Sequence, residues 1–217
     1  MKLRYEHIAW DFDGTLYDSY PFVIDCYLKT LKDFGVDGER DKVSELIHKT
    51  VRHAHDYYAP LCGRDIALLR TKYKDYEYRL HGPSDRVPPV DGIPELLRDV
   101  AAAGGHNHIC SNRSTLECRA YLERDGLAQY FDLYVGGEMD VRLKPNGDMF
   151  RYLQEHLCVP PEKILMIGDR PLDYLEAHSA GSPGCFFEPE CLASVPDDVE
   201  YSARTADQLR EIFFARS

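Results

Sequence analysis

The chain has 217 residues, 44% of them hydrophobic and 29% charged, with a formal net charge of −11. That length suits one full hydrophobic core plus a small second unit. The acidic balance, with a pI near 5.2, argues against nucleic acid or an anionic membrane as a partner.

The N-terminal residues Met1-Lys2-Leu3-Arg4-Tyr5-Glu6 form no hydrophobic signal region, and no run approaches membrane-spanning length, so a cytoplasmic location is expected. His7–Phe12 is a short apolar run that closes on carboxylates, with the length and composition of a buried central strand. Side chains two apart on a strand share a face, so Asp11 and Asp13 are expected to point the same way. Gly14 permits a sharp turn, and Thr15 places a hydroxyl in the same neighbourhood. Neighbouring acids repel, and a fold tolerates them mainly where a cation sits or a proton is shared. An ordinary turn or a simple cation site would also account for the pair.

Past Thr15 the period becomes helical. The pattern predicts helices over Tyr20–Phe34, stopped by Gly35, over Asp41–Tyr58, ending before Pro60, and over Arg64–Leu80, stopped by His81-Gly82-Pro83. Residues 17–90 read as an inserted all-helical unit, left through Pro88-Pro89 and Asp91-Gly92. From residue 20 to 88 the chain carries 12 basic and 11 acidic residues, so the acidity lies in the rest.

Thereafter helices and strands alternate: helix Pro94–Ala103, strand His106–Cys110, helix Thr115–Asp125, strand Phe131–Val135, helix Asp148–Leu157, strand Lys163–Ile167, helix Leu172–Ala180, strand Gly184–Phe187 and helix Ala206–Phe214. This predicts an α/β fold, a parallel sheet covered on both faces, built from residues 1–16 and 91–217. Ligands of such sheets bind outside the carboxyl ends of the strands. The seven cysteines (Cys26, Cys62, Cys110, Cys118, Cys158, Cys185, Cys191) form no CxxC pair and no zinc-ligand spacing, which reads as reduced thiols.

Four predicted strand ends collect the reactive side chains. The first carries Asp11 and Asp13, and the second reads Ile109-Cys110-Ser111-Asn112. After the third comes Arg142-Leu143-Lys144-Pro145, and the fourth continues as Gly168-Asp169-Arg170-Pro171-Leu172-Asp173. Taken singly, Ser111 could cap the helix from Thr115, Lys144 could be a solvated charge, Gly168-Asp169 a turn, and Asp173 an exposed helix residue. Their joint order at one sheet edge is harder to obtain by chance.

In that order they resemble the four motifs of the haloacid dehalogenase-like (HAD) superfamily: DxDGT, an apolar strand ending in Ser or Thr, a Lys, and GDxxxD. The resemblance spans essentially the whole chain. It implies a Rossmann-like parallel core with an inserted α-helical cap that closes over the core, and Mg²⁺-dependent phosphatase chemistry on a small phosphate ester. It further implies Asp11 as nucleophile, Asp13 as acid/base and Lys144 as the cation that offsets charge. Asp11, Asp169 and the backbone carbonyl of Asp13 would hold Mg²⁺, with Asp173 acting through water or as an orienting group. Ser111 and the N–H groups around Asn112 would receive the phosphoryl oxygens, and Thr15 would assist Asp13 or stabilise the turn. Like-charge repulsion from Asp11 is expected to raise the pKa of Asp13.

Haloacid dehalogenases proper lack the second Asp, so Asp13 favours phosphate chemistry. Sugar-phosphate mutases of the β-phosphoglucomutase kind share core and cap, but they typically carry a cap His absent from Tyr20-Pro21-Phe22-Val23-Ile24, and Val or Ile where Thr15 stands. A phosphonate hydrolase would need a Schiff-base lysine that Lys29 and Lys32 do not clearly supply. Pyrophosphatase action competes with monoester hydrolysis on the same core. A non-catalytic phosphate-binding module would be expected to lose Asp11, Asp13 or Lys144, and all three are present. The overall pattern resembles the phosphoglycolate phosphatase branch. One departure is Asn146-Gly147 after Lys144-Pro145, where many relatives carry a small residue and then Pro. In the cap, His48, His53, His55, Tyr57, Tyr58 and Arg64 are the specificity candidates, although His53 and His55 are two apart and cannot share a helix face. His106 and His108 are read as non-catalytic, and Arg113 is left without a role.

Overall fold

The computed structural model describes residues 2–80, 82–190 and 194–214, so His81 and Cys191 lie outside the described residues. The chain divides into two compact units, one of Met1–Tyr17 with Pro89–Ser217 and one of Asp18–Pro88.

The smaller unit is all helical: α1 (Tyr20–Asp33), α2 (Arg40–Lys49), α3 (Val51–Leu61) and α4 (Ile66–Lys74), which runs on into a π-helical turn over Asp75–Arg79. Its core is built by Val23, Tyr27 and Leu31 of α1, Val43 and Ile47 of α2, Tyr58 of α3, and Leu69 and Tyr73 of α4. The helix predicted over Asp41–Tyr58 is two helices. Thr50 is fully extended (φ −165°, ψ 153°), and its hydroxyl accepts the His53 N–H at 3.2 Å, so it starts α3 as an N-cap. Pro60 does not stop α3, which closes one residue later, where a lost N–H removes only a final-turn bond. His53 and His55 diverge as the spacing requires: His53 Nδ1 meets the Thr50 hydroxyl at 2.7 Å, while His55 is buried with Nδ1 3.1 Å from the Tyr27 hydroxyl. Lys29 sits 4.1 Å above the ring of Tyr76.

The larger unit runs β1 (His7–Trp10), α5 (Ile93–Ala102), β2 (His106–Cys110), α6 (Thr115–Arg124), β3 (Phe131–Val135), α7 (Asp148–Leu157), β4 (Ile164–Gly168), α8 (Pro171–His178), β5 (Gly184–Phe187), β6 (Tyr201–Ala203) and α9 (Ala206–Phe213). The sheet is parallel throughout, in the order β3-β2-β1-β4-β5-β6. Strand order reverses between β1 and β4, which pair from His7↔Ile164 to Trp10↔Ile167. That reversal opens the crevice where α/β sheets bind ligands. Ile8, Ala9 and Trp10 are buried, as a central strand covered on both faces requires. The short edge strand β6 carries too little apolar sequence to be read from periodicity, and its pairing with β5 defines it.

β1 ends at Trp10, one residue short of Asp11. The Asp11 N–H still bonds Ile167 O at 2.8 Å, but Asp13 lies beyond the strand, so strand alternation alone does not set the pair. The turn does the rest: Phe12 O accepts the Leu16 and Tyr17 N–H groups, both at 3.1 Å, and Gly14, at φ 74°, donates to Tyr17 O at 2.9 Å. The result is asymmetric, with the Asp11 side chain fully buried and that of Asp13 22% exposed. The six described cysteines are all free. No helix among the described residues is long and apolar enough to cross a membrane.

Candidate active site

Four loops at the carboxyl edge of the sheet bring the predicted residues together. Asp11 follows β1 and is fixed to β4 by its N–H, which donates to Ile167 O at 2.8 Å. Asp169 follows β4, and Asp173 lies in the first turn of α8, where its Oδ2 accepts the Arg170 N–H at 3.0 Å. Gly168 makes this packing possible, since a Cβ there would lie 2.2 Å from Asp173 Cβ.

Lys144 is the hub. It reaches the site from the loop after β3, just before a cis Lys144–Pro145 bond, and its ammonium donates to Asp11 Oδ1 at 2.9 Å and Asp173 Oδ1 at 2.6 Å. All three side chains are fully buried. Arg170 adds a second cation, with Nη2 3.2 Å from Asp11 Oδ2. Burial pushes the Asp11 carboxyl pKa up, but Lys144 and Arg170 together outweigh it, and the group lies below the ordinary aspartate value. Burial likewise drives Lys144 down, yet Asp11 and Asp173 prevail and its pKa is raised. For Asp173 burial wins, so its pKa is raised despite Lys144. Lys144 and Arg170 thus favour the ionised form of Asp11.

Asp11, Asp169 and Asp173 each offer a carboxylate oxygen, all within 4.8 Å of one another. Three buried carboxylates make an all-oxygen donor set that fits a hard divalent cation. Here Asp173 joins Asp11 and Asp169 directly in the cluster. Thr15, fully buried, donates to Asp169 Oδ1 at 3.4 Å, so its hydroxyl serves an acid of the cluster.

The remaining predicted residues have local partners. Ser111 Oγ accepts the Arg113 N–H at 3.2 Å, whereas the cap of α6 is Ser114, so Ser111 is not the cap of the helix from Thr115. Asn112 Oδ1 accepts the Lys144 N–H at 3.1 Å, tying the second motif to the third. Asp13 is met by a residue that had no assigned role. Arg113 Nε and Nη2 donate to its two oxygens at 3.1 and 2.8 Å, while Nη1 reaches Glu117 at 3.1 Å. Repulsion from Asp11 therefore acts on Asp13 against a guanidinium in direct contact with it. The available signal was position, since Arg113 lies two residues past Ser111 at the same sheet edge. Arg170 was legible in the same way, inside the fourth motif.

A buried carboxylate kept ionised beside cations that can offset phosphate charge, in a crevice whose acids can hold a metal ion, defines a phosphoric monoester hydrolase. The chain belongs to the haloacid dehalogenase-like hydrolases, whose family model matches residues 8–186. A phosphoglycolate phosphatase of Caulobacter vibrioides is 28% identical over 187 residues, covering 82% of this chain and 76% of that protein. The pyrophosphatase PpaX of Bacillus cereus is 23% identical over 181 residues, covering 83% and 82%. Among solved structures, CbbY from Rhodobacter sphaeroides in complex with phosphate shares the fold at a TM-score of 0.76, with 19% identity and coverage of 94% and 96%.

Proposed function

We propose that the protein hydrolyses a small phosphate monoester in a Mg²⁺-dependent reaction through an aspartyl-phosphate on Asp11, with phosphoglycolate or a similar small acid phosphate as substrate. The observation that carries this reading is the clamp on Asp11, whose two oxygens face Lys144 and Arg170 at 2.9 and 3.2 Å. A phosphate dianion repels a carboxylate, so a nucleophile of this kind needs positive charge already in place around it.

Asp11 attacks phosphorus in line as the bond to the leaving oxygen breaks, and Asp13 supplies the proton that this oxygen takes. Water activated by Asp13 then attacks the phosphorus of the acyl phosphate, releasing phosphate and restoring Asp11. Lys144 offsets the charge that develops on the transferring group while holding Asp11 in line. Mg²⁺, held by Asp11, Asp169 and Asp173, would supply charge neutralisation between the nucleophile and the phosphoryl oxygens. Ser111, at the end of the second strand, is assigned to those oxygens in this reading. The relatives named phosphoglycolate phosphatase support the choice of substrate class.

The test is phosphate release from phosphoglycolate, sugar phosphates, nucleoside monophosphates and pyrophosphate, with Mg²⁺ and with EDTA. Metal-dependent release with a preference for phosphoglycolate is expected, and Asp11→Asn should abolish it while preserving the fold. Preference for pyrophosphate would move the substrate to that class. Near-wild-type turnover by Asp11→Asn would overturn the mechanism.

A further inference from the structure

The loop carrying Lys144 runs into a helix whose first turn is capped from a different element. Gly147 immediately precedes α7 and sits at φ 80°, a conformation L side chains rarely adopt. Glycine has no side chain with which to cap a helix, so the first-turn N–H groups of α7 need acceptors from elsewhere. Two N–H groups at this end, of Gly147 and of Phe150, find theirs on α8. Glu176, fully buried, accepts the Gly147 N–H on Oε2 at 2.6 Å and the Phe150 N–H on Oε1 at 3.1 Å. Its charge meets the positive end of α7, where backbone N–H groups and the helix dipole stabilise a buried carboxylate.

Glu176 lies three residues after Asp173, so the two acids share a face of α8. Asp173 grips the Lys144 ammonium at 2.6 Å, and Glu176 grips the backbone three residues beyond Lys144. A further tie runs alongside, with Ser179 Oγ donating to Pro145 O at 3.4 Å. Arg151 bridges the same segment, donating to Asn146 O at 2.9 Å and Ser179 O at 2.8 Å. α8 therefore holds the Lys144 segment at both its charged tip and its backbone.

We propose that Glu176 is a positioning residue for catalysis: by capping α7 from α8 it sets where the Lys144 ammonium stands relative to Asp11. This rests on the hydrolase mechanism above. Proline at position 147 would present no N–H to satisfy; glycine presents one and adds freedom, and the buried glutamate removes that freedom again. A displacement of the order of 1 Å at a catalytic group costs on the order of a hundredfold in rate, so loosening this anchor is expected to register in turnover.

The test is a double-mutant cycle of Glu176→Gln with Lys144→Ala, comparing kcat, KM and the folded fraction. Gln keeps the shape but offers a single acceptor oxygen, so one of the two N–H bonds is lost. Glu176→Gln is expected to stay folded and to lower kcat on the order of tenfold or more with KM little changed. In the Lys144→Ala background it should change kcat little, because its effect passes through Lys144. A general loss of structure would instead lower activity by the same factor in both backgrounds, and that result, or wild-type kcat in Glu176→Gln, would overturn the proposal. The ¹⁵N resonance of the Lys144 ammonium, assigned by the Lys144→Ala spectrum, gives a readout independent of substrate. It should shift in Glu176→Gln, and an unchanged resonance would overturn the proposal even if the wild-type protein released no phosphate from any ester. That last outcome would count against the hydrolase reading alone.

Discussion

Arg113 holds Asp13 by both carboxylate oxygens, at 3.1 and 2.8 Å, and is itself held from behind by Glu117 at 3.1 Å. The guanidinium packs 5.2 Å from the centre of the Phe12 ring and 5.9 Å from that of Tyr121, which helps to fix its plane. A bidentate clamp of this kind sets the direction in which Asp13 presents its oxygens. Arg113→Met should lower kcat at least tenfold and, by taking the guanidinium away from Glu117, lower stability by about 3 kcal/mol. Arg113→Lys keeps the charge but cannot span both oxygens, and should recover stability better than turnover. Urea unfolding together with steady-state kinetics checks both; unchanged kinetics in Arg113→Met would leave Arg113 a purely structural group.

Lys144 and a divalent cation would answer to the same acids, Asp11 and Asp173. Removing the ammonium leaves Asp11 and Asp173 facing each other in a fully buried site, where breaking an ion pair costs about 3–5 kcal/mol. Lys144→Ala should therefore be strongly destabilised in EDTA and should regain more of its melting temperature on adding Mg²⁺ than the wild type gains. Thermal melts of both proteins with and without the metal decide it. Equal Mg²⁺ shifts in the two would show that the ammonium and the cation do not share these acids.

Gly168 is required by close approach. The nearest side-chain atoms to a Cβ there belong to Asp173, at 2.2 to 2.4 Å, and Asp173 is itself pinned by Lys144 and the Arg170 N–H. Gly168→Ala should cost about 1–3 kcal/mol through overpacking and should lower turnover by moving Asp173. Differential scanning calorimetry and kinetics on the same preparation measure the two effects; a variant with wild-type values of both would refute the steric account.

Away from the site, His7, His106 and His108 stack across β1 and β2, with His7 Nδ1 3.0 Å from His108 Nε2. Burial, reinforced by His7, pushes the His108 pKa down to about 3. In the unfolded chain it titrates near 6.5, so between those values the unfolded state binds the extra proton. Stability from this group is complete above about pH 6.5 and is lost as pH falls toward 3. Between pH 7 and pH 5 the loss is at most about 2 kcal/mol. Urea unfolding at the two pH values should show that slope, and His108→Leu should flatten it. An equal slope in the variant would place the acid sensitivity elsewhere.

The sequence by itself determined the α/β alternation, the helical insertion and the four motifs, because each is a local statement. Periodicity marks the strands, glycine and proline mark their ends, and carboxylates placed just past a buried run have few other places to go. Asp11, Asp169 and Asp173 could be found this way since each sits at or just past the boundary of an element that the pattern defines, whereas Lys144, in the loop between β3 and α7, was marked only by the resemblance of the motif order. What only the tertiary structure decided was which charges meet. The pairing of Arg113 with Asp13 spans 100 residues and that of Lys144 with Asp11 spans 133, and no local period encodes such distances. The break of α2 from α3 at Thr50 also needed the structure, because the hydrophobic stripe continues through it while the extended backbone of Thr50 ends α2 and its hydroxyl caps the start of α3. Glu176 is the clearest case: on its own helix it reads as one more acid, and its partners are backbone N–H groups of another helix, which no side-chain pattern can announce.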